Sequence, residues 1–181
     1  MTDMFYTSQV AALHQELGIP ADYAHRGLAF HRYPESLSHG AEDPNGVPMQ
    51  MEPRTAVAWA RMKDAASRDG VVLLVESAFR DLAQQAALIR DALKNGGNLD
   101  AALQWIAAPG YSEHHTGRAI DIACPGCYPV PVDDAFEKTG AFIWLVENAK
   151  RSGFQLSYPR GNPHGIIYEP WHWCWNEPAE G

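Results

Sequence analysis

Residues 111–121 read "YSEHHTGRAID": two adjacent histidines, a turn glycine and an aspartate in one short stretch. Asp121 lies inside "RAIDIA", residues 118–123, whose small and branched apolar residues predict a short buried strand. Strand alternation puts Ala119, Asp121 and Ala123 on one face and Ile120 with Ile122 on the other. The isoleucines can then enter a core while Asp121 points into space left open by alanines. A carboxylate in such a place is costly unless it is paired or bound to a metal. Gly117 permits a sharp entry into the strand, so a histidine of the preceding loop can return over the Asp121 face. Spacing alone does not choose between His114 and His115.

A second fragment, "EPWHWCW" at residues 169–175, completes the pattern. Alternation places Trp171, Trp173 and Trp175 on one face and His172 on the other, with the tryptophans as a large apolar anchor that holds the histidine stiffly. Histidine, aspartate and histidine make a three-ligand set with one position left for water, which is a catalytic arrangement; a closed structural site uses four protein ligands. Imidazole with carboxylate suits zinc first, with manganese, cobalt and iron as alternatives. Glu169, three residues before His172 and followed by the rigid Pro170, is the candidate base for a metal-activated water. The other histidines, His14, His25, His31, His39 and His164, read as solvated or hydrogen-bonded side chains.

The chain has 181 residues, 46% hydrophobic and 20% charged, enough for one packed domain. Its formal charge of −8 and lack of a basic stripe argue against nucleic-acid binding. No apolar run is long enough to span a bilayer. The N-terminus lacks a basic region followed by an apolar one, so the expected location is cytoplasmic, or periplasmic for a chain whose leader has been removed. Three cysteines, Cys124 and Cys127 in "CPGC" and Cys174, do not form a disulfide framework. The C-x-x-C pair follows a strand instead of opening a helix, so it reads as a turn pair, reduced in a cytosol and bridged in an exported protein, ahead of a redox centre or second metal site.

Periodicity predicts a helix over "TSQVAALHQELG", started by Thr7 or Ser8 and stopped at Gly18, then irregular chain over residues 19–51. A helix begins at Pro53 and stops at Gly70. "VVLLVES" is a buried strand; "DLAQQAALIRDALKNGG" and "NLDAALQWIAA" are helices. "DDAFEKTGAFIWLVENAKRSG" reads as one long helix capped by Asp133 or Asp134 and stopped by Gly153, and "FQLSYP" and "WHWCW" as short strands. Without a regular β-α-β rhythm, the expected class is α+β, a small antiparallel sheet flanked by helices.

The motif S-x-H-x-x-G-x-A-x-D, met by Ser112, His114, Gly117, Ala119 and Asp121, followed by E-P-W-H, met by Glu169, Pro170, Trp171 and His172, resembles the VanY-type D-alanyl-D-alanine carboxypeptidases. These belong to the LAS group of zinc peptidases, which share a core with VanX dipeptidases and hedgehog domains. The expected organisation is a single peptidase domain over residues 1–181. The resemblance implies a LAS/hedgehog-type catalytic core at residues 54–176, and the N-terminal helix and irregular segment, residues 1–53, lie outside it as a candidate lid. It implies that His114, rather than His115, holds zinc together with Asp121 and His172, and that Glu169 is the catalytic base. The family's S-x-[YF]-R element is met by "SAFR" at residues 77–80; Arg80 is then the group that steadies an oxyanion or grips substrate, a role suited to a permanently charged planar fork. Ser77, Ser112, Tyr158 and Gln85 are the implied substrate contacts, although "DLAQ" before Gln85 departs from the family's Ser-Tyr. The implied function is release of C-terminal D-alanine from peptidoglycan stem peptides or muropeptides. Either the D-Ala-D-Ala bond (DD) or the L-centre-D-Ala bond (LD) is cut, LD fitting a cytoplasmic role in muropeptide recycling. The rivals are an endolysin-like endopeptidase, a VanX-like dipeptidase and a non-catalytic zinc module of hedgehog type.

Overall fold

A computed structural model describes residues 3–128 and 135–177. In chain order come α1 (Asp3–Leu17), the antiparallel hairpin of β1 (Ser38–Glu42) and β2 (Pro48–Met51), and α2 (Pro53–Arg68). β3 (Leu74–Ser77), α3 (Leu82–Lys94), α4 (Leu99–Trp105) and β4 (Ala119–Ala123) follow, then α5 (Gly140–Asn148), β5 (Phe154–Leu156) and β6 (His172–Trp175). The second sheet is antiparallel throughout, in the order β3-β4-β6-β5. The architecture is α+β.

Local chemistry starts each helix. Glu52 caps α2 by accepting from the Thr55 N–H, with Pro53 in the first turn, where its missing N–H costs nothing. Asp81 and Gln84 form a reciprocal capping box at α3, and Asn98 caps α4. α1 begins four residues earlier than the Thr/Ser signal suggests. The hydroxyls of Thr7 and Ser8 donate back to the carbonyls of Asp3 and Met4, so they sit inside the helix instead of capping it.

Two further expectations need correction. The single helix before Gly153 is broken: Thr139 is extended (φ −84°, ψ 152°) and its hydroxyl accepts from the Phe142 N–H, so it starts α5 afresh. Short 3-10 turns, Phe136–Lys138 and Ala149–Ser152, flank α5. The caps proposed at Asp133 and Asp134 lie outside the described residues. The second correction concerns residues 19–51, which are not irregular throughout but contain the β1–β2 hairpin. Its turn is built by Asp43, whose carboxylate accepts from the Asn45 and Val47 N–H groups. Its strands escape pattern reading because they are half-exposed and carry a bulge at Gly40, where a side chain would strike Met51. Cys124 and Cys127 are joined by a disulfide across their turn.

One face of the four-stranded sheet is the core. Val75, Ile120, Ile122, Phe154, Trp173 and Trp175 pack there with Trp59, Met62 and Ala66 of α2 and Leu145 of α5. The other face carries Asp121 and His172. A second apolar cluster lies beside it and joins Leu17, Ile19, Tyr23 and Leu28 to Ile89, Leu103, Tyr158 and Ile166. The N-terminal segment thus packs on α3, α4 and the loop that precedes β6.

Gly117 is a tight point of this frame, set against backbone. Its φ is +66°, and an added Cβ would lie 2.7 Å from the Glu52 backbone nitrogen, whose N–H donates to the Gly117 carbonyl. Gly117→Ala is expected to cost about 2–3 kcal/mol, lowering the melting temperature by roughly 5–10 °C. Gly70→Ala has a similar φ of +76° but no neighbour within 4 Å, and should cost only the backbone penalty of about 1 kcal/mol. Thermal melts of the two variants side by side check this; equal losses would show that the Glu52 contact is unimportant.

Candidate metal centre

The antiparallel register sets Asp121 of β4 directly opposite His172 of β6, and Ser77 of β3 opposite Asp121 on the other side. Directly paired residues share a sheet face. His114 arrives from the 3-10 turn Glu113–Thr116, which Gly117 ends in the left-handed conformation. The Arg80 N–H ties that turn down by donating to the His114 carbonyl at 3.2 Å. One ligand atom each from His114, Asp121 and His172 then lie within 4.8 Å of one another.

The hydrogen bonds assign the free nitrogens. His114 Nδ1 donates to the Ala78 carbonyl at 2.6 Å, which leaves Nε2 as the lone-pair atom, 3.2 Å from Asp121 Oδ2. That Nε2 is buried and has no hydrogen-bond partner. His172 Nε2 donates to Glu113 Oε2 at 2.9 Å, which leaves Nδ1 facing Asp121 Oδ1 at 3.0 Å. A ligating histidine commonly anchors its second nitrogen on a carbonyl or carboxylate, and both partner types occur here. His115 is fully occupied: Nε2 accepts from the Gly110 N–H and Nδ1 donates to the Arg80 carbonyl. The orphaned Nε2 of His114 and the mixed imidazole–carboxylate set fit a divalent cation.

Electrostatics point the same way. Burial would depress His172, yet its bonds to Asp121 and Glu113 outweigh burial and push it up to about 10. The pair of carboxylates therefore demands positive charge at this ring, and a proton or a metal ion can supply it at Nδ1. Burial would raise Glu113, but the bond and charge of His172 pull it down to about 2. Asp121 is likewise held well below the usual carboxylate range despite its burial, by its histidine neighbours His114 and His172, of which His172 carries the charge. His114 is lowered to about 4 by burial and by the Arg80 charge, so it stands neutral and ready to ligate.

Glu169 is buried, and its Oε2 is 3.9 Å from His172 Nδ1. Burial pushes its carboxyl up to about 8; a cation at the three ligands would favour its charged form. Arg80 donates through Nη2 to Asp121 Oδ2 at 3.3 Å and through Nη1 to Gln85 Oε1 at 3.0 Å. Gln85 passes its amide N–H on to the Ala107 carbonyl at 2.8 Å, so it orients Arg80 as well as lining the cleft. Ser112 and Tyr158 line the same cleft with Trp105, Ile106 and Ile166, around a cavity of about 30 Å³. The Tyr158 ring sits 4.9 Å from the His172 ring. Ser77 stays beneath Asp121 in the sheet and is not among the residues that line the cleft. Larger hollows of about 630 Å³ exist, but none of the three ligands lines them.

Sequence reasoning missed Glu113, the carboxylate behind His172. It stands in the opening motif, and the habit of ligating histidines to lean on a carboxylate was the available signal. It also missed the wall residues Trp105, Ile106 and Ile166, which carry no chemical signature of their own.

Comparison with known proteins agrees with this geometry. The chain is 33% identical over 120 residues to a D-alanyl-D-alanine carboxypeptidase of Enterococcus faecalis, covering 61% of this chain and 42% of that one. It therefore spans well under half the length of that relative. Among solved structures, the LD-carboxypeptidase LdcB, whose structure addresses peptidoglycan recognition, superposes with a TM-score of 0.70 at 27% identity, covering 81% of this chain and 71% of that one. A glutamate-to-alanine variant of the D,D-pentapeptidase VanY, solved with Zn(II), superposes with a TM-score of 0.60 at 30% identity, covering 79% of each chain. The family model of the VanY D-alanyl-D-alanine carboxypeptidases matches residues 48–178. With the motif residues gathered at one centre, the chain belongs to the VanY D-alanyl-D-alanine carboxypeptidase family.

Proposed function

We propose that this protein is a zinc carboxypeptidase that releases the C-terminal D-alanine of peptidoglycan stem peptides. The observation that carries the reading is the convergence of a His–Asp–His set with a buried glutamate 3.9 Å from one ligand and a guanidinium 3.3 Å from another. A zinc-binding relative of the same fold supports the choice of metal.

When bound, zinc supplies Lewis acidity toward the scissile carbonyl and acidifies the attacking water. His114 would hold it through Nε2, His172 through Nδ1 and Asp121 through its carboxylate. Glu169 takes the proton of the attacking water and delivers it to the leaving amine nitrogen. Arg80, braced by Gln85 and Asp121, offers its charge to the oxygen that becomes negative as the carbonyl is attacked. His114, Glu169 and His172 are buried, which lowers the local dielectric and strengthens each of these interactions. A purely structural zinc module has no use for a buried base and a braced cation beside its ligands.

Within this class we propose LD cleavage, on tetrapeptide stems. The likeness to the LD-carboxypeptidase LdcB, at a TM-score of 0.70, supports it. D,D-acting relatives at 0.60 and 0.65 and the LD-carboxypeptidase DacB at 0.57 do not separate the two specificities. Product masses after incubation with tetrapeptide and pentapeptide muropeptides check the assignment. Loss of one alanine from the tetrapeptide alone is expected. Release from the pentapeptide alone would reverse it to DD, and release from neither would remove the carboxypeptidase reading.

Two variants separate the roles of the carboxylates. Glu169→Gln should lower turnover by roughly 10²–10⁴-fold while zinc stays at one ion per chain. Near-normal turnover would show that another group is the base. Glu113→Gln should instead weaken zinc binding by roughly 10–100-fold, with turnover restored at saturating zinc. Competition with a chromogenic chelator measures this, and unchanged affinity would remove Glu113 from the metal's support.

A further inference from the structure

Residues 3–47 lie outside the stretch shared with the family, which begins at residue 48, yet they touch the cleft wall repeatedly. His14 Nε2 donates to the Pro109 carbonyl at 2.8 Å, the His31 N–H donates to the Gly110 carbonyl at 2.7 Å, and the Tyr23 hydroxyl accepts from the Ala108 N–H at 3.0 Å. Arg26 of this segment makes three contacts there. Its Nη1 donates to the Leu103 carbonyl at 2.7 Å, its Nε to the His164 carbonyl at 3.1 Å, and its Nη2 to the Gly165 carbonyl. The guanidinium lies over the Tyr23 ring, 5.0 Å from its centroid. Among the described residues its partners are carbonyls and a ring, not carboxylates.

These three carbonyls belong to two separate walls. Leu103 is in the last turn of α4, where carbonyls have no intrahelical partner and a cation is favoured. Trp105, Ile106 and Ala107, just beyond it, line the cleft. His164 and Gly165 precede Ile166, which lines the same cleft from the loop before β6. The walls meet through one further bond, from the Ile167 N–H to the Gln104 carbonyl at 2.9 Å. Gly165 bears the mark of the same contact: its φ is +66°, and an added Cβ would lie 2.8 Å from Arg26 Nη2.

We infer that Arg26 is a positioning residue, a clamp from the N-terminal segment that sets the relative placement of the two walls that receive substrate. A planar fork can reach three carbonyls at once; a lysine ammonium with one flexible stem cannot reproduce that geometry. The clamp acts on substrate binding and not on the chemistry, because Glu169 has anchors of its own. Its N–H donates to the Tyr158 carbonyl at 3.1 Å, and its carbonyl accepts from the His172 N–H at 3.1 Å.

Two measurements test this, and only the second rests on the proposed carboxypeptidase activity. In the zinc-loaded protein, hydrogen exchange at the Ile167 amide should be at least tenfold faster in Arg26→Ala than in wild type. The control Arg90→Ala, which removes the α1–α3 ion pair with Glu16, should leave it unchanged. In kinetics with tetrapeptide, Arg26→Ala should raise KM about tenfold with kcat within twofold and zinc content unaltered. Arg26→Lys should show most of the same rise. Gly165→Ala should raise KM by the same route, and the double variant Arg26→Ala/Gly165→Ala should be no worse than the stronger single one. If Arg26→Ala does not fold, Arg26→Lys carries both measurements. Unchanged Ile167 exchange would overturn the clamp even if the enzyme cleaves the peptide. Full rescue by lysine, or a fall in kcat with KM unchanged, would overturn it as well. An inactive wild type with accelerated Ile167 exchange in Arg26→Ala would sink the assigned activity and leave the clamp standing.

Discussion

Everything at the centre depends on one pairing in a sheet: Asp121 opposite His172 across β4 and β6. A slip of one residue would turn His172 into the core and a tryptophan out onto the ligand face. What prevents the slip is on the other side of the strands. Ile120, Ile122 and Trp173 are nearly inaccessible to solvent, and each buried large side chain of this kind contributes on the order of 1.5–3 kcal/mol. The apolar face therefore holds the polar face in register. Asp121 and His172 need no favourable energy of their own to be brought together, which matters because clustered charges oppose burial.

The cluster is tolerable because each charge has a stated partner. Asp121 stands between His114, His172 and Arg80; Glu113 answers His172; Arg80 is shared between Asp121 and Gln85. In a site this enclosed the local dielectric is low, so these contacts are stronger than at a surface and an unmatched group is correspondingly more costly. Glu169 is the least compensated member, and burial raises it to about 8. A carboxyl with a proton affinity near neutrality is what proton shuttling asks for.

The chain divides this work between two layers. The stretch shared with the family carries the candidate ligands, the proposed base and the braced arginine. Among the described residues, the N-terminal segment adds no group to the candidate metal centre. It packs Leu17, Ile19, Tyr23 and Leu28 against the α3–α4 layer and fixes the wall beside the cleft through Arg26, Tyr23, His14 and His31.

Read as a sequence, the chain already determined a good deal. Strict alternation in "AIDIA" and "WHWCW" revealed which residues face the core and which face a site, because a two-residue period is a local property of the backbone. The helix start at Pro53 and the stops at Gly70 and Gly153 were legible for the same reason. The break at Thr139 and the β1–β2 hairpin were not, since helical periodicity runs through the first and the second has little apolar pattern to read. The choice of His114 over His115 is a matter of what each ring meets: His115 finds Gly110 and Arg80, whereas His114 finds one carbonyl and keeps a lone pair. Glu113 behind His172, the brace of Gln85 on Arg80 and the Arg26 clamp were likewise decided by the tertiary structure alone. Glu113 and His172, and Arg26 and its three carbonyls, lie far apart in the chain. Arg80 and Gln85 are near neighbours, but the partners that fix them, Asp121 and the Ala107 carbonyl, are distant. No local rule carries information about which distant group folding will bring into contact.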